Sequence, residues 1–316
     1  MAHPKVSISI ANYNRKGLLE ACLASVMAQD YPEVEVVVVD NASADGSADM
    51  VRVKFPTVKL IVNETNLFFC AAHNQGIRAT DGEYVLVLNN DVTLERDFVS
   101  HMVRAMERDN KIGSVSGRIL RTGGKVIDTT GLSLGRDRRP VERGYGEQDT
   151  GLFMEPGYVF GAGGVAPLYR RAMLDDISRD GEFFDESFEA FYEDLDVAWR
   201  ANRRTWKAYY TPKAVAYHAR GGTAKTGRPP LGMFAGYDFA YLSPGMRARL
   251  VRNRWLTIIK NDKLPEFLLN LPFILAYDIK VWLFLLIFSP GSIPDILRGA
   301  KALPGAWRQR MWTDET

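Results

Sequence analysis

Four side chains, far apart along the chain, have the types and settings that chemistry uses: Asp40, Asp91, Asp194 and His218. Asp91 closes EYVLVLNND, in which Tyr84 to Leu88 is nearly continuous apolar sequence before Asn89, Asn90 and Asp91. Its hard oxygens suit Mg2+ or Mn2+, ions that commonly take one or two carboxylates plus the phosphates of a substrate. Asp40 ends a second apolar run, Glu35 to Val39, where a carboxylate can accept hydrogen bonds from a ribose or a nucleobase. Asp194 lies in Glu193-Asp194-Leu195-Asp196 at the opening of a helix, where a carboxylate is held ionised as a general base requires. His218 ends a third run and precedes Arg220-Gly221-Gly222-Thr223, a loop suited to folding over a diphosphate. Each has a plainer explanation when taken alone. Asn89-Asn90-Asp91 reads as a polar turn into a helix capped by Thr93, Asp40 as a turn residue, and a lone histidine as structural.

The elements that must bring these residues together follow from periodicity. Strands are expected at Val6 to Ile10, Glu35 to Val39, Val58 to Val62, Tyr84 to Leu88 and Gly113 to Ser116. Helices are expected at Lys16 to Gln29, Ser47 to Lys54, a segment ending near Arg78 after a loop from Asn63 to Asn74, and Phe98 to Arg108. That alternation predicts a mainly parallel sheet with helices on both faces, and ligands then bind outside the carboxyl ends of the strands. Asn12, Tyr13, Asn14 and Arg15 follow the first strand and belong in the same crevice as Asp91. From Gly123 to Gly151 the pattern degrades, and an exposed excursion of hairpins or a flexible loop is expected. Order returns at Gly157 to Val165, where Gly161, Gly163 and Gly164 permit close backbone approach. A short helix near Leu168 to Ile177 and closing strands at Trp206 to Tyr210 and Ala214 to Tyr217 complete the pattern. Neither G-x-G-x-x-G nor G-x-x-x-x-G-K-[ST] occurs there, so no phosphate-cradling loop is assigned, and a nucleotidyltransferase signature is missing too.

Composition narrows the partners. With 40 basic and 38 acidic residues among 316, the net charge of +2 gives no argument for nucleic acid. Cys22 and Cys70 lack metal-site spacing and read as free thiols of a cytosolic protein, and the early first strand leaves no room for a signal peptide. Leu264 to Phe288 is apolar but broken by Pro265, Asn270, Pro272, Asp278 and Lys280, which favours an interfacial or hairpin-like segment over a strict span. The tail beyond it, with Arg298, Lys301, Trp307, Arg308 and Arg310, suits a headgroup surface. The competing expectation is a buried helix completing the core, or a homodimer contact. Arg252-Asn253-Arg254-Trp255 lacks the glutamine of the Q-x-x-R-W motif of processive synthases.

Read in order, SISIANYNR, VVVVDNASADGS, YVLVLNNDV, FGAGGVAPLYRRA, FYEDLDVAWR and YHARGG resemble the inverting glycosyltransferase family 2, most closely its bacterial rhamnosyltransferase-like branch, over Val6 to Thr223. The resemblance implies an α/β fold of GT-A type, a doubly wound mainly parallel sheet with an acceptor-binding half, here followed by a C-terminal helical, membrane-associating tail. It implies a catalytic domain over residues 1–225, with a nucleotide-sugar-binding half (1–117) and an acceptor half (118–225), and a helical region over 226–316. By the same resemblance Asn12, Tyr13, Asn14, Arg15, Asp40, Asn41, Asn74, Asn89 and Asn90 are the expected donor contacts. Asp91 and His218 are the expected ligands of Mg2+ or Mn2+, Asp194 the catalytic base, and Gly163, Gly164 and Glu193 the acceptor contacts. Two departures stand out: Asn89 replaces the first carboxylate of a D-x-D motif, and NLFFCAAHN lacks the family's glycines at Phe68, Ala71 and Ala72. The expected activity is metal-dependent inverting transfer from a nucleotide diphosphate sugar, with dTDP-rhamnose as first choice, to a glycan or lipid-linked acceptor. The expected place is cytoplasmic, peripheral on the inner face of the plasma membrane. The alternative is a nucleotide-sugar-binding module whose activity is lost or regulatory.

Overall fold

The computed structural model describes residues 3–220 and 242–311. Chain contacts divide it into two compact units, the first made of Met1–Ser133, Val141–Glu189 and Glu193–Arg220.

The first unit begins with the expected alternation: β1 (Val6–Asn12), α1 (Lys16–Met27), β2 (Val34–Asp40), α2 (Ser47–Lys54), β3 (Lys59–Val62), α3 (Phe68–Arg78) and β4 (Tyr84–Asn89). It continues through β5 (Val92–Leu94), α4 (Phe98–Met106), β6 (Ile112–Arg121) and β7 (Ile127–Thr129). β8 (Leu132–Leu134) and β9 (Pro140–Glu142) come next, then β10 (Gly157–Val159), β11 (Leu168–Arg170), α5 (Arg171–Ile177), α6 (Glu193–Arg203) and β12 (Lys207–His218). The central sheet runs β10-β12-β6-β11-β4-β1-β2-β3, with β5 added to β12 and β7 to β6. β1 is parallel to both β2 and β4, β2 to β3, and β12 to β6. β11 runs antiparallel to both β4 and β6, and the pairings of β10 and β5 with β12 and of β7 with β6 are antiparallel too.

The register follows from what each face must bury. Val6, Ile8 and Ile10 meet Leu19, Leu23 and Val26 of α1 on one face, with Phe98, Val99 and Met102 of α4 in the same core. Each of these large side chains, taken out of water, contributes about 1.5–3 kcal/mol. The other face of β1 carries the small side chains Ser7, Ser9 and Ala11, the two serines wholly buried, because α3 lies close against it. A Cβ at Gly76 would sit 2.3 Å from Ser9 Oγ, so that approach needs glycine.

Several expectations are corrected. Asn89-Asn90-Asp91 leads into the strand β5 and not into a capped helix. The loop expected up to Asn74 is already helical from Phe68. Leu168–Arg170 is a strand before α5, since its backbone bridges β4 and β6, and the two closing strands are one bulged strand, β12. The excursion is hairpins, as one option had it, but it is not all exposed: Ile127, Asp128, Thr129 and Thr130 are buried. Both cysteines are buried and free.

The second unit comprises Leu134–Pro140, Ala190–Tyr192 and Gly221–Thr316. Its helices are α7 (Pro244–Asn261), α8 (Leu264–Phe288), α9 (Ile293–Gly299) and α10 (Leu303–Met311), around Ala248, Val281, Phe284, Leu285 and Ile296. α8 is one helix of 25 residues that continues through Pro272, which corrects the hairpin-like reading. It is also no buried core helix: it is long and apolar enough to cross a membrane, and its most apolar stretch is 22% buried. Two of its polar interruptions, Asn270 and Asp278, are absorbed inside the unit. Asp278 pairs with Arg254, the Asn270 oxygen accepts from Arg136, and the Arg136 guanidinium lies 3.8 Å from the Phe273 ring centroid. Arg138 is paired to the buried Asp262 at 2.7 Å.

Candidate active site

Parallel pairing sets Asn12 beside Asp40 and Ala11 beside Asn89, so the carboxyl ends of β1, β2 and β4 lie in a row. Asn12 links the row: its Nδ2 donates to Asp40 Oδ2 at 2.9 Å, and its Oδ1 accepts from Asn90 Nδ2 at 2.8 Å. Asp40 Oδ1 accepts from the Ser43 amide at 2.8 Å, and Asn14 Oδ1 from the Ala44 amide at 2.7 Å, closing the turn after β2 onto the turn after β1. That closure puts Asn14 and Ala42 at φ of 51° and 62°, backbone that non-glycine residues avoid. Tyr13, Asn14 and Arg15 are exposed at the rim, whereas Asp40 and Asn41 are buried.

Pairing of β12 with β5 places His218 against Val92 and so beside Asp91. His218 Nε2 is 3.1 Å from Asp91 Oδ1, and its Nδ1 is 2.7 Å from Asp128 Oδ2. Burial pushes the imidazole down, but hydrogen bonds to Asp128 and Asp91, with their charges, outweigh it and raise His218 to about 9. Burial likewise pushes the Asp128 carboxyl up, and the hydrogen bonds from His218 and Arg220 more than reverse that. Two carboxylates flank the ring, so the place stabilises positive charge, whether a proton on Nε2 or a cation in its stead. Among the described residues no three or more His, Cys, Asp or Glu side chains group as a metal cage. The pair Asp91 and His218 fits instead a hard divalent cation that takes most of its ligands from phosphate and water. A cavity of about 540 Å3 opens against Asp91, walled by Leu18 and Ala21 of α1, Thr93, Tyr217 and the Gly123-Gly124 turn.

Asp194 reaches the same edge by another route. The Asn89 amide donates to the Val165 carbonyl at 3.1 Å, laying residues 162–167 along the end of β4. The next residue back, Gly164, donates its amide to Asp194 Oδ2 at 3.0 Å, and the Leu195 amide donates to Oδ1 at 2.8 Å. Burial raises the Asp194 carboxyl, and these two amide bonds act against the rise. A Cβ on Gly164 would lie 3.2 Å from Asp194 Oδ2, and one on Gly163 would lie 3.0 Å from Glu142 Oε2. The glycine pair is thus flanked by two carboxyl groups. Glu142 also accepts a hydrogen bond from Thr129 Oγ1, and burial together with the charge of Asp194 pushes it up to about 8.

Placement is uneven across the expected residues. Asn12, Asp40, Asn89, Asn90, Asp91 and His218 share one strand edge, and Asp194, Gly163 and Gly164 adjoin it through the β4 contact. Glu193 opens α6 and is buried. Asn41 turns to the Phe68 carbonyl and the Asn63 amide. Asn74 is fully buried inside α3, and its amide is taken up by the Phe184 backbone and Glu186. Gly221, Gly222 and Thr223, the loop expected over a diphosphate, lie outside the described residues. Sequence reading passes over Asp128, Thr129 and Glu142, which sit in a polar stretch with no periodicity to mark them.

Residues 7–178, more than half of the chain, match Glycosyl transferase family 2. The poly-beta-1,6-N-acetyl-D-glucosamine synthase of Staphylococcus epidermidis is 24% identical over 218 residues, covering 67% of this chain and 49% of that protein. The chain thus spans about half the length of the curated relatives it matches. Among solved structures, the mannosyltransferase PcManGT from Pyrobaculum calidifontis in complex with GDP-Man and Mn2+ aligns with a TM-score of 0.56 at 21% identity, over 96% of this chain and 76% of that one. S. aureus TarS 1-349 in complex with UDP-GlcNAc aligns with a TM-score of 0.57 at 18% identity, over 96% and 81%. At these identities the structures speak for the fold, a GT-A-like α/β sheet. With the match running from β1 through α5, across every strand end that carries the row, the chain belongs to glycosyl transferase family 2.

Proposed function

We propose that the chain transfers a sugar from a nucleotide diphosphate sugar to a hydroxyl of a glycan or lipid-linked acceptor, with inversion at the anomeric carbon, in cell-surface polysaccharide synthesis. The observation that carries this reading is the hydrogen-bonded row from Asp40 through Asn12 to Asn90, with Asp91 at its end and Asp194 tied beside it. The row and the rim residues Tyr13, Asn14 and Arg15 hold the nucleoside. Asp91 and His218 hold Mg2+ or Mn2+, which when bound supplies positive charge for the departing diphosphate. Asp194 takes the acceptor proton as the hydroxyl oxygen bonds to the anomeric carbon and the bond to the diphosphate oxygen breaks. A carboxyl raised by burial is a stronger base than a solvated one, and the Gly164 and Leu195 amides keep it aimed. Gly163, Gly164 and Glu193 border the acceptor.

The motif resemblance makes dTDP-rhamnose the first donor to try, with UDP-GlcNAc and GDP-Man as competing arms. Each is tested by thermal shift with Mn2+ and with EDTA, then by mass spectrometry of the reaction mixture. One nucleotide should stabilise the protein only when Mn2+ is present, and its sugar should be released or transferred. Binding without turnover would favour the non-catalytic binding module, and no binding by any of the three sinks the reading.

The second unit is read as a membrane-surface anchor on the cytoplasmic face. Leu268, Leu269, Ile279, Leu286 and Ile287 of α8 are each more than half exposed, and Arg298 and Lys301 follow the helix. Flotation with anionic vesicles should fall for a Leu269→Asp/Leu286→Asp double variant. Equal flotation, with concentration-dependent dimers in sedimentation, assigns the face to a second copy.

A further inference from the structure

Asp128 is fully buried in a stretch whose composition reads as solvent-facing. A buried carboxylate costs several kcal/mol unless it is paired, so its partners define why it is there. Oδ2 is 2.7 Å from His218 Nδ1, and Oδ1 accepts from Arg220 Nε, with Arg121 Nε 3.6 Å away. Both guanidinium groups lie 4.7 Å from the centroid of the Tyr145 ring, which fixes them from the other side. The far nitrogen of the same imidazole, Nε2, faces Asp91 Oδ1 at 3.1 Å. The backbone adds a further tie, since the Ala219 amide donates to the Asp91 carbonyl at 2.9 Å.

We infer that Asp128 is a positioning residue for the cation and diphosphate end of the donor site, holding His218 with Nε2 turned to Asp91 and Arg220 beside it. The inference rests on the proposed reading of Asp91 and His218 as a cation-binding pair. An imidazole attached only at Cβ is free to rotate and to exchange which nitrogen carries hydrogen. A carboxylate on Nδ1 removes both freedoms and leaves Nε2 as the presented atom, which is how outer carboxylates act on metal-ligating histidines generally. Removing such a partner typically weakens metal binding by about 10–100-fold. Asp128 never touches the cation or the sugar in this arrangement; it acts through His218 and Arg220. A carboxylate that merely pinned the β7 segment to β12 would behave differently, lowering stability while leaving Mn2+ affinity alone.

The test follows Mn2+ by electron paramagnetic resonance of the free ion, titrated into the full chain with UDP, dTDP or GDP present. Wild type, Asp128→Asn, Asp128→Ala, His218→Ala and the Asp128→Ala/His218→Ala double variant are compared, with melting temperatures in EDTA. Asp128→Asn should weaken Mn2+ about tenfold and Asp128→Ala up to about a hundredfold. In the His218→Ala background, Asp128→Ala should cost much less than it does in wild type, because the imidazole route to the cation is already gone and only the hold on Arg220 remains. Unchanged Mn2+ affinity in a folded Asp128→Asn protein overturns the inference, as does a full additional loss in the double variant. Asp128→Asn is nearly isosteric and decides the matter where Asp128→Ala melts too low to assay. Should wild type bind no Mn2+ with any nucleotide, the cation reading itself fails and takes this inference with it, a result distinct from a variant-specific null.

Discussion

The two flanks of Asp91 are built in opposite ways. On one side Asn12, Asp40 and Asn90 are neighbours by strand register, each at the end of an apolar run, and their mutual bonds follow from parallel pairing. On the other side His218 and Asp128 meet across 90 residues of sequence, through a strand that closes the sheet and a hairpin with little apolar content. The first flank is neutral amides around one carboxylate, and the second is a charged cluster. The contrast teaches that one edge can be specified locally, where the backbone ladder does the placing, while its continuation depends on long-range charge pairing.

The largest effect should come from Asp194, the proposed base, tied beside both flanks through Gly164. Asp194→Asn is expected to cut single-turnover transfer by about a hundredfold to ten-thousandfold with nucleotide affinity nearly unchanged. Turnover near wild type in that variant removes Asp194 from the reaction.

The charged flank should then reveal itself in pH dependence. His218 is raised to about 9 from an unfolded value of 6.5, so its contribution is fully present below pH 6.5 and is lost as pH climbs through 9. The span corresponds to a contribution on the order of 3 kcal/mol. Urea unfolding in EDTA should show wild type losing its advantage over His218→Gln between pH 6 and pH 9.5. An advantage that stays constant across that window contradicts the charged arrangement.

The neutral flank should respond to deletion of its link. Asn12→Ala leaves Asp40 and the Asn90 amide short of a partner, at a cost of about 1–3 kcal/mol, and should weaken nucleotide binding. Stability equal to wild type would mean that the row is ornamental. Smallest of all, Ala42→Gly relieves a left-handed backbone at φ 62° and should gain at most about 1 kcal/mol by urea denaturation, glycine's own entropy offsetting part of the relief.

Legibility followed the same division. The strands that end at Asn12, at Asp40 and just before Asp91 can be read from the sequence because each is a short apolar run whose end is marked by polar residues. Asn74 shows the limit of motif reading: its position is where the motif puts it, yet α3 begins early enough to carry its amide to Phe184. Asp128 and Glu142 could not be read at all. Their stretch has the composition of a solvated loop; His218 and Arg220 make the burial of Asp128 tolerable, whereas burial and the charge of Asp194 push the Glu142 carboxyl up to about 8.

Local patterning is enough for the alternation of strands and helices through β4 and for the ends at which its carboxylates emerge, since apolar periodicity sets which residues a strand buries and pleating sets where its last side chain points. The tertiary structure alone decided that His218 stands opposite Asp91, that Asp128 holds it there, and that Asp194 hangs from Gly164 beside them. Those placements depend on how distant strands pair and which buried charges find partners, and neither is written in any local window of the chain.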